Sequence, residues 1–220
     1  MLVVVSPAKK LNMSLVQGLK VSEPYFKKNV DELVNVVRDL SVKDLENLMD
    51  ISPTLAELNR DRFKEFGNQQ KKAAAFAFAG DTYKGLSIEN LEKEDLDFAQ
   101  KHLRILSGLY GLLRPLDEIE PYRLEMRSKL KGTHGSSLYD YWGSKISENL
   151  NQHDLSTKTE ITNVKSDENL QELKPEAAIV NDVNDHQNNV KKGMLDKLKS
   201  FKFSSSSPSK FIIFHFSPTT

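Results

Sequence analysis

His102-Leu-Arg104-Ile-Leu-Ser107-Gly108-Leu-Tyr110-Gly111-Leu-Leu-Arg114-Pro115-Leu-Asp117 is the stretch on which the reading of this chain turns. Leu96, Phe98, Ala99, Leu103 and Leu106 recur at helical spacing, which predicts a helix ending near Ser107-Gly108. Gly108 stands where a left-handed residue would follow that helix. A helix, a glycine-bearing turn and more apolar chain together resemble a helix–hairpin–helix over about residues 98–117. The spacing is Gly-x-x-Gly rather than Gly-x-Gly, and a plain tight turn between helices is the alternative.

The flanking segments supply the rest of the fold. Leu2 to Val5 is a β-branched run stopped by Ser6-Pro7, the pattern of a short buried strand, with Lys9 and Lys10 in the loop at its end. Phe26, Val30, Leu33, Val34, Val37 and Leu40 mark an amphipathic helix. Ser41 with Asp44 forms a capping-box pattern, and Ser52-Pro53 opens a further helix running toward Gly67. Ala73 to Ala79 is small and apolar, and periodicity does not separate helix from strand there. Ser137 caps a helix bearing Leu138, Tyr141, Trp142, Ile146 and Leu150. Thr159 to Val164 reads as a strand, and Asn151 to Lys158 as a loop. These elements predict a single α+β domain, helix-rich with a small sheet. Its boundary falls at residues 1–203, degraded after about 171. Residues 204–220 form a separate serine-rich and apolar tail, in which Phe211 to Phe216 has the option of pairing as an edge strand.

Composition narrows the function. The 220 residues carry 31 basic and 31 acidic side chains, so no global field draws the protein to nucleic acid or acidic membrane. Any phosphate site must be local. There are no cysteines, which excludes disulfides, thiolate nucleophiles and cysteine-based metal sites and suits a reducing, cytoplasmic setting. No apolar run approaches the length of a membrane span, and the start is too short for a secretory apolar region.

Several words occur in an order that resembles the YaaA peroxide stress protein family. They are Ser6-Pro-Ala-Lys9-Lys-Leu11-Asn, Phe78-Ala-Gly80-Asp81-Thr-Tyr83-Lys-Gly85-Leu, the opening stretch, and Pro121-Tyr122-Arg123-Leu-Glu125-Met126. Leu138-Tyr139-Asp-Tyr-Trp142-Gly143 and Asn163-Val-Lys-Ser166-Asp167-Glu168 follow. The resemblance covers about residues 1–171. The family's basic segment before its last helix has no counterpart here beyond Lys191-Lys192-Gly193.

The resemblance implies a DNA-binding protein of the response to hydrogen peroxide. The partner expected is duplex or branched DNA read with little sequence preference, with no membrane and no obligate protein partner. Hairpins of this kind offer backbone N–H groups to phosphate oxygens, and glycine permits the close approach. The expected contact set is Lys9, Arg104, Ser107, Gly108, Tyr110, Gly111, Arg114 and Arg123. Lys101, Arg127, Lys129 and Lys131 add to the basic side of residues 101–131. Against Asp117, Glu118, Glu120 and Glu125 this leaves a local excess of three positive charges. Neither cofactor nor metal is expected, since Asp182, Asp185 and His186 sit in a polar stretch without a supporting motif. Catalysis stays open. The alternatives are a base-removing glycosylase, with Asp81 and Asp117 as weak candidates, or a degraded family copy. Ser6-x-x-Lys9 lacks the partner motifs of a Ser-Lys nucleophile and reads as an ion-pair or anion site at a strand end.

Overall fold

A computed structural model describes residues 2–130, 135, 137–153, 178–179 and 211–214. The expected strand at Thr159 to Val164, the word ending at Glu168, Lys191 to Gly193, and Asp182, Asp185 and His186 lie outside the described residues. So does most of Gly132 to Ser136. No helix among the described residues is long and apolar enough to cross a membrane.

The fold is helix-rich α+β, as the pattern predicts. Strand β1 (Leu2–Val5) leads into helices α1 (Lys27–Arg38), α2 (Val42–Met49) and α3 (Pro53–Lys64). Ser41 and Asp44 close the expected capping box on α2, and Ser52 caps α3 with Pro53 at its first turn. The alanine-rich stretch contains both alternatives: a two-residue strand β2 (Lys72–Ala73) and one helical turn, α4 (Ala74–Ala77). Helices α5 (Asp81–Leu86) and α6 (Lys93–His102) follow. The helix expected from Ser137 is two, α7 (Leu138–Trp142) and α8 (Lys145–His153). They part at Gly143, whose φ of 46° no helix interior accepts.

The helix–hairpin–helix is corrected to a β-hairpin. Helix α6 ends at His102, and the chain continues as β3 (Leu103–Ser107) and β4 (Gly111–Leu113), paired antiparallel. Leu103 and Ile105 face one side of the sheet at a strand's period of two, and β3 pairs in parallel with β1. That pairing sends Leu103 into the core, whereas a helix continuing to Ser107 would leave β1 without this neighbour. The left-handed glycine is Gly111, at φ 68°, and not Gly108. A two-residue strand β5 (Glu118–Ile119) pairs with β2 in a separate small sheet.

The main sheet runs β4-β3-β1-β7-β6, with β6 (Ala178–Ile179) and β7 (Phe211–Phe214) parallel to β1. The stretch with an edge-strand option thus occupies an interior position, between β1 and β6. Successive side chains of β1 serve both faces. Val3 and Val5 join the main core with α1, α2 and α3, while Leu2 and Val4 pack with Leu112 and Leu150 of α8 on the other side.

Candidate functional site

Strands β1 and β3 run parallel, with Val5 opposite Ile105 and β3 continuing two residues further to Ser107, and the segments that follow them meet at this end of the sheet. Residues 10–12 run beside residues 77–79, with Leu11 bridged to Phe78 and the Asn12 N–H donating to the Ala77 carbonyl. Tyr83 is buried and donates its hydroxyl to the Ser6 carbonyl at 2.9 Å, tying α5 to the end of β1. Buried Tyr122 shares a 2.6 Å hydrogen bond with Ser107, whose Oγ also accepts the Tyr110 N–H. Burial pushes the Tyr83, Tyr110 and Tyr122 phenols well above their ordinary range, so all three stay protonated and act as positioning groups. The segments around residues 6–11, 78–83, 107–110 and 121–126, distant in sequence, therefore build one mouth.

Gly108 places the last of these segments. A Cβ there would stand 2.4 Å from the Leu124 carbonyl oxygen and 2.9 Å from the Met126 nitrogen, both backbone atoms that cannot swing away. Glycine is required for close approach, since this φ is not left-handed. Gly108→Ala should destabilise the protein by about 1–3 kcal/mol through overpacking, read as a lowered midpoint in thermal unfolding. An unchanged midpoint would mean that the two backbones have room to part.

Residue Glu125, so positioned, gathers three cations. Its carboxylate lies 2.9 Å from Arg127 Nε, 3.6 Å from Lys9 Nζ and 3.8 Å from an Arg123 terminal nitrogen. Only the Arg127 contact is a hydrogen bond. Arg123 Nε and Glu125 Oε1 are buried without a hydrogen-bond partner among the described residues. Lys9 and Arg127 remain open to solvent, with side chains 42% and 69% exposed. Three positive charges around one carboxylate give the mouth a net positive charge in a neutral protein. Beside it, a cleft of about 510 Å³ runs between α2 and residues 125–130, sharing Glu125 and Arg127 with the cluster.

The other expected contact residues are placed differently. Arg104 is buried in β3 and spends its guanidinium on the Gln100 and Leu103 carbonyls. Ser107 and Tyr110 are buried, and Gly111 lies against the Trp142 ring. Arg114 is partly exposed, but its Nε and one terminal nitrogen hold Asp117 at 3.0 and 2.8 Å. Of the eight, the mouth brings together Lys9, Ser107, Gly108 and Arg123. Candidate acid Asp117 is fully enclosed by donors, and Asp81 is exposed at the start of α5 and paired with Lys84. Sequence reasoning counted Glu125 only as an opposing charge and Arg127 only as part of the basic excess. Their place in the word Pro121 to Met126 and just after it was the available signal.

The same segments are those shared with known proteins. Residues 1–202 match the family described as peroxide stress protein YaaA. The chain belongs to the YaaA peroxide stress protein family. A UPF0246 protein of Ruegeria pomeroyi is 53% identical over 155 residues, covering 69% of this chain and 60% of the relative. Another from Jannaschia is 52% identical over 153 residues, covering 69% and 59%. A third, from Acaryochloris marina, is 43% identical over 180 residues, covering 80% and 71%. The match to the first two thus spans about three-fifths of their length.

Proposed function

We propose that this YaaA family chain acts in the response to peroxide by binding DNA through its phosphate backbone at the Lys9–Arg123–Arg127 mouth. The family description supports the stress role. The observation that carries the binding reading is the loose hold on Glu125: two of its three cations sit beyond hydrogen-bond distance, and Arg123 Nε has no hydrogen-bond partner among the described residues. Cations held this way can exchange a weak internal partner for phosphate oxygens. Arginine's fork suits that exchange. The contact is carried by side chains around a strand end, not by a helix–hairpin–helix, and it reads backbone, so low sequence preference is expected.

Glu125 then competes with the DNA for the same cations. In fluorescence-anisotropy titrations with a short duplex, log affinity should fall against log salt with a slope of about −3, near −0.9 for each of three neutralised phosphates. Lys9→Ala and Arg123→Ala should each flatten that slope by about one. Glu125→Gln should bind more tightly than the wild type, because it removes the competing charge and keeps the shape. Absence of binding at low salt, or wild-type slopes in both cation variants, would overturn the reading.

A further inference from the structure

The cleft beside the mouth has two chemically different walls. Residues 125–130 contribute Arg127 and Lys129, both exposed, together with the Glu125 carboxylate that Arg127 holds, while α2 and its end contribute Asp44, Asn47 and Asp50. Between them the lining is apolar, from half-buried Leu48 and buried Met49 and Leu130. One anionic group fits the first wall, taking Glu125's place on Arg127 and adding Lys129. A second phosphate against the α2 wall would face carboxylates and be repelled. Asp44 is committed to the capping box with Ser41, which leaves Asn47 and Asp50, exposed at the end of α2, to face a ligand. Asp50 accepts hydrogen bonds only, and Asn47 both donates and accepts. The ligand that matches carries one phosphate at one end, a flat apolar body in the middle and N–H donors at the far edge.

From these walls we infer that the cleft takes a single unstacked nucleotide, its phosphate on Arg127 and Lys129 and its base between Leu48 and Leu130. The inference rests on the phosphate-binding reading above and names the form of DNA that the site prefers. Bases with an amino or ring N–H donor can meet Asp50, as guanine, cytosine and adenine do. A cleft of about 510 Å³ has room for one nucleotide. A base enters it only from a single strand, a gap, an end or a flipped position, since a paired base is held inside the duplex. Duplex backbone contact at the mouth and base capture in the cleft are continuous, because Glu125 and Arg127 border both.

Isothermal titration of the whole chain with inorganic phosphate, deoxyribose 5-phosphate and 2′-deoxyguanosine 5′-monophosphate tests this. The nucleotide should bind at least about tenfold more tightly than either smaller phosphate, in line with the contribution of one packed base. Leu48→Ala, which removes apolar wall without adding a charge, should bring the nucleotide down toward the level of inorganic phosphate, and inorganic phosphate binding measured on the same variant separates this from the loss of Leu48 packing on the core. Equal affinities for the three probes, or a nucleotide advantage that survives Leu48→Ala, would overturn the inference. Salt-dependent duplex binding that persists alongside equal affinities would remove the cleft inference alone. Loss of duplex and phosphate binding together would remove the mouth as well.

Discussion

Removing residues 204–220 should lower the melting temperature by about 10 °C or abolish cooperative unfolding. Strand β7 pairs with β1 at four positions, Leu2 to Val5, and it is the neighbour through which β6 joins the sheet. Each ladder hydrogen bond contributes about 1 kcal/mol net, so losing the ladder alone costs about 3–4 kcal/mol. For a chain of this size each kcal/mol shifts the midpoint by about 2–4 °C. The loss also bares one edge of β1, whose four residues are buried. An apolar strand with unpaired N–H and C=O groups is a template for aggregation. The shortened chain should therefore elute partly as large species in gel filtration. Unchanged melting and a monomeric profile would show that the division at residue 203 is a true domain boundary and that β1 does not depend on β7.

Asp117→Ala should destabilise the protein by about 3 kcal/mol, the low end for breaking a buried pair. The Asp117 side chain is fully enclosed, and Ser22 Oγ, Arg114 N–H and the Arg114 guanidinium all donate to it at 2.6 to 3.0 Å. Alanine would strand those donors, and the Arg114 guanidinium, at 23% side-chain exposure, would lose its counter-ion. Ser22 also accepts from the Gln100 side-chain amide, whose Oε1 takes the Leu116 N–H, so the loss reaches α6. Arg114 keeps two further contacts, to the Glu23 carbonyl and over the Tyr25 ring at 4.3 Å. Denaturant unfolding of the two single variants and the Asp117→Ala/Arg114→Ala pair would measure the coupling. Additive effects would show that the pair does not act as a unit. A DNA-binding defect in the Arg114 variant with unchanged stability would return Arg114 to the contact set.

Local signals were legible where a short-range interaction decides the outcome. The Ser41–Asp44 capping box, the Ser137 cap and the Ser52-Pro53 start each involve residues three apart or fewer, and each forms as read, Ser137 completing a box with Asp140. Leu2 to Val5 was legible because a β-branched run closed by proline has few other uses. Residues 103–107 were not. Leu103 and Leu106 satisfy a helical period and Leu103 and Ile105 a strand's, and the choice rests with β1, about a hundred residues away. Tyr141 and Trp142 were legible as part of an apolar helical stripe, and both are core packing: the Trp142 indole donates to the Gly108 carbonyl at 2.9 Å.

By itself the sequence determined the family, the helix starts and the first strand, because ordered words and caps are properties of neighbouring residues. It also determined that any phosphate site must be local, since 31 basic and 31 acidic side chains leave no overall field. Tertiary structure decided which basic residues count. Arg104 is spent inside β3 and Arg114 on Asp117, while Lys9, Arg123 and Arg127, up to 118 positions apart, converge on Glu125. That convergence depends on the parallel pairing of β1 with β3 and on Gly108 admitting another backbone at contact distance, and both are properties of packing between distant segments.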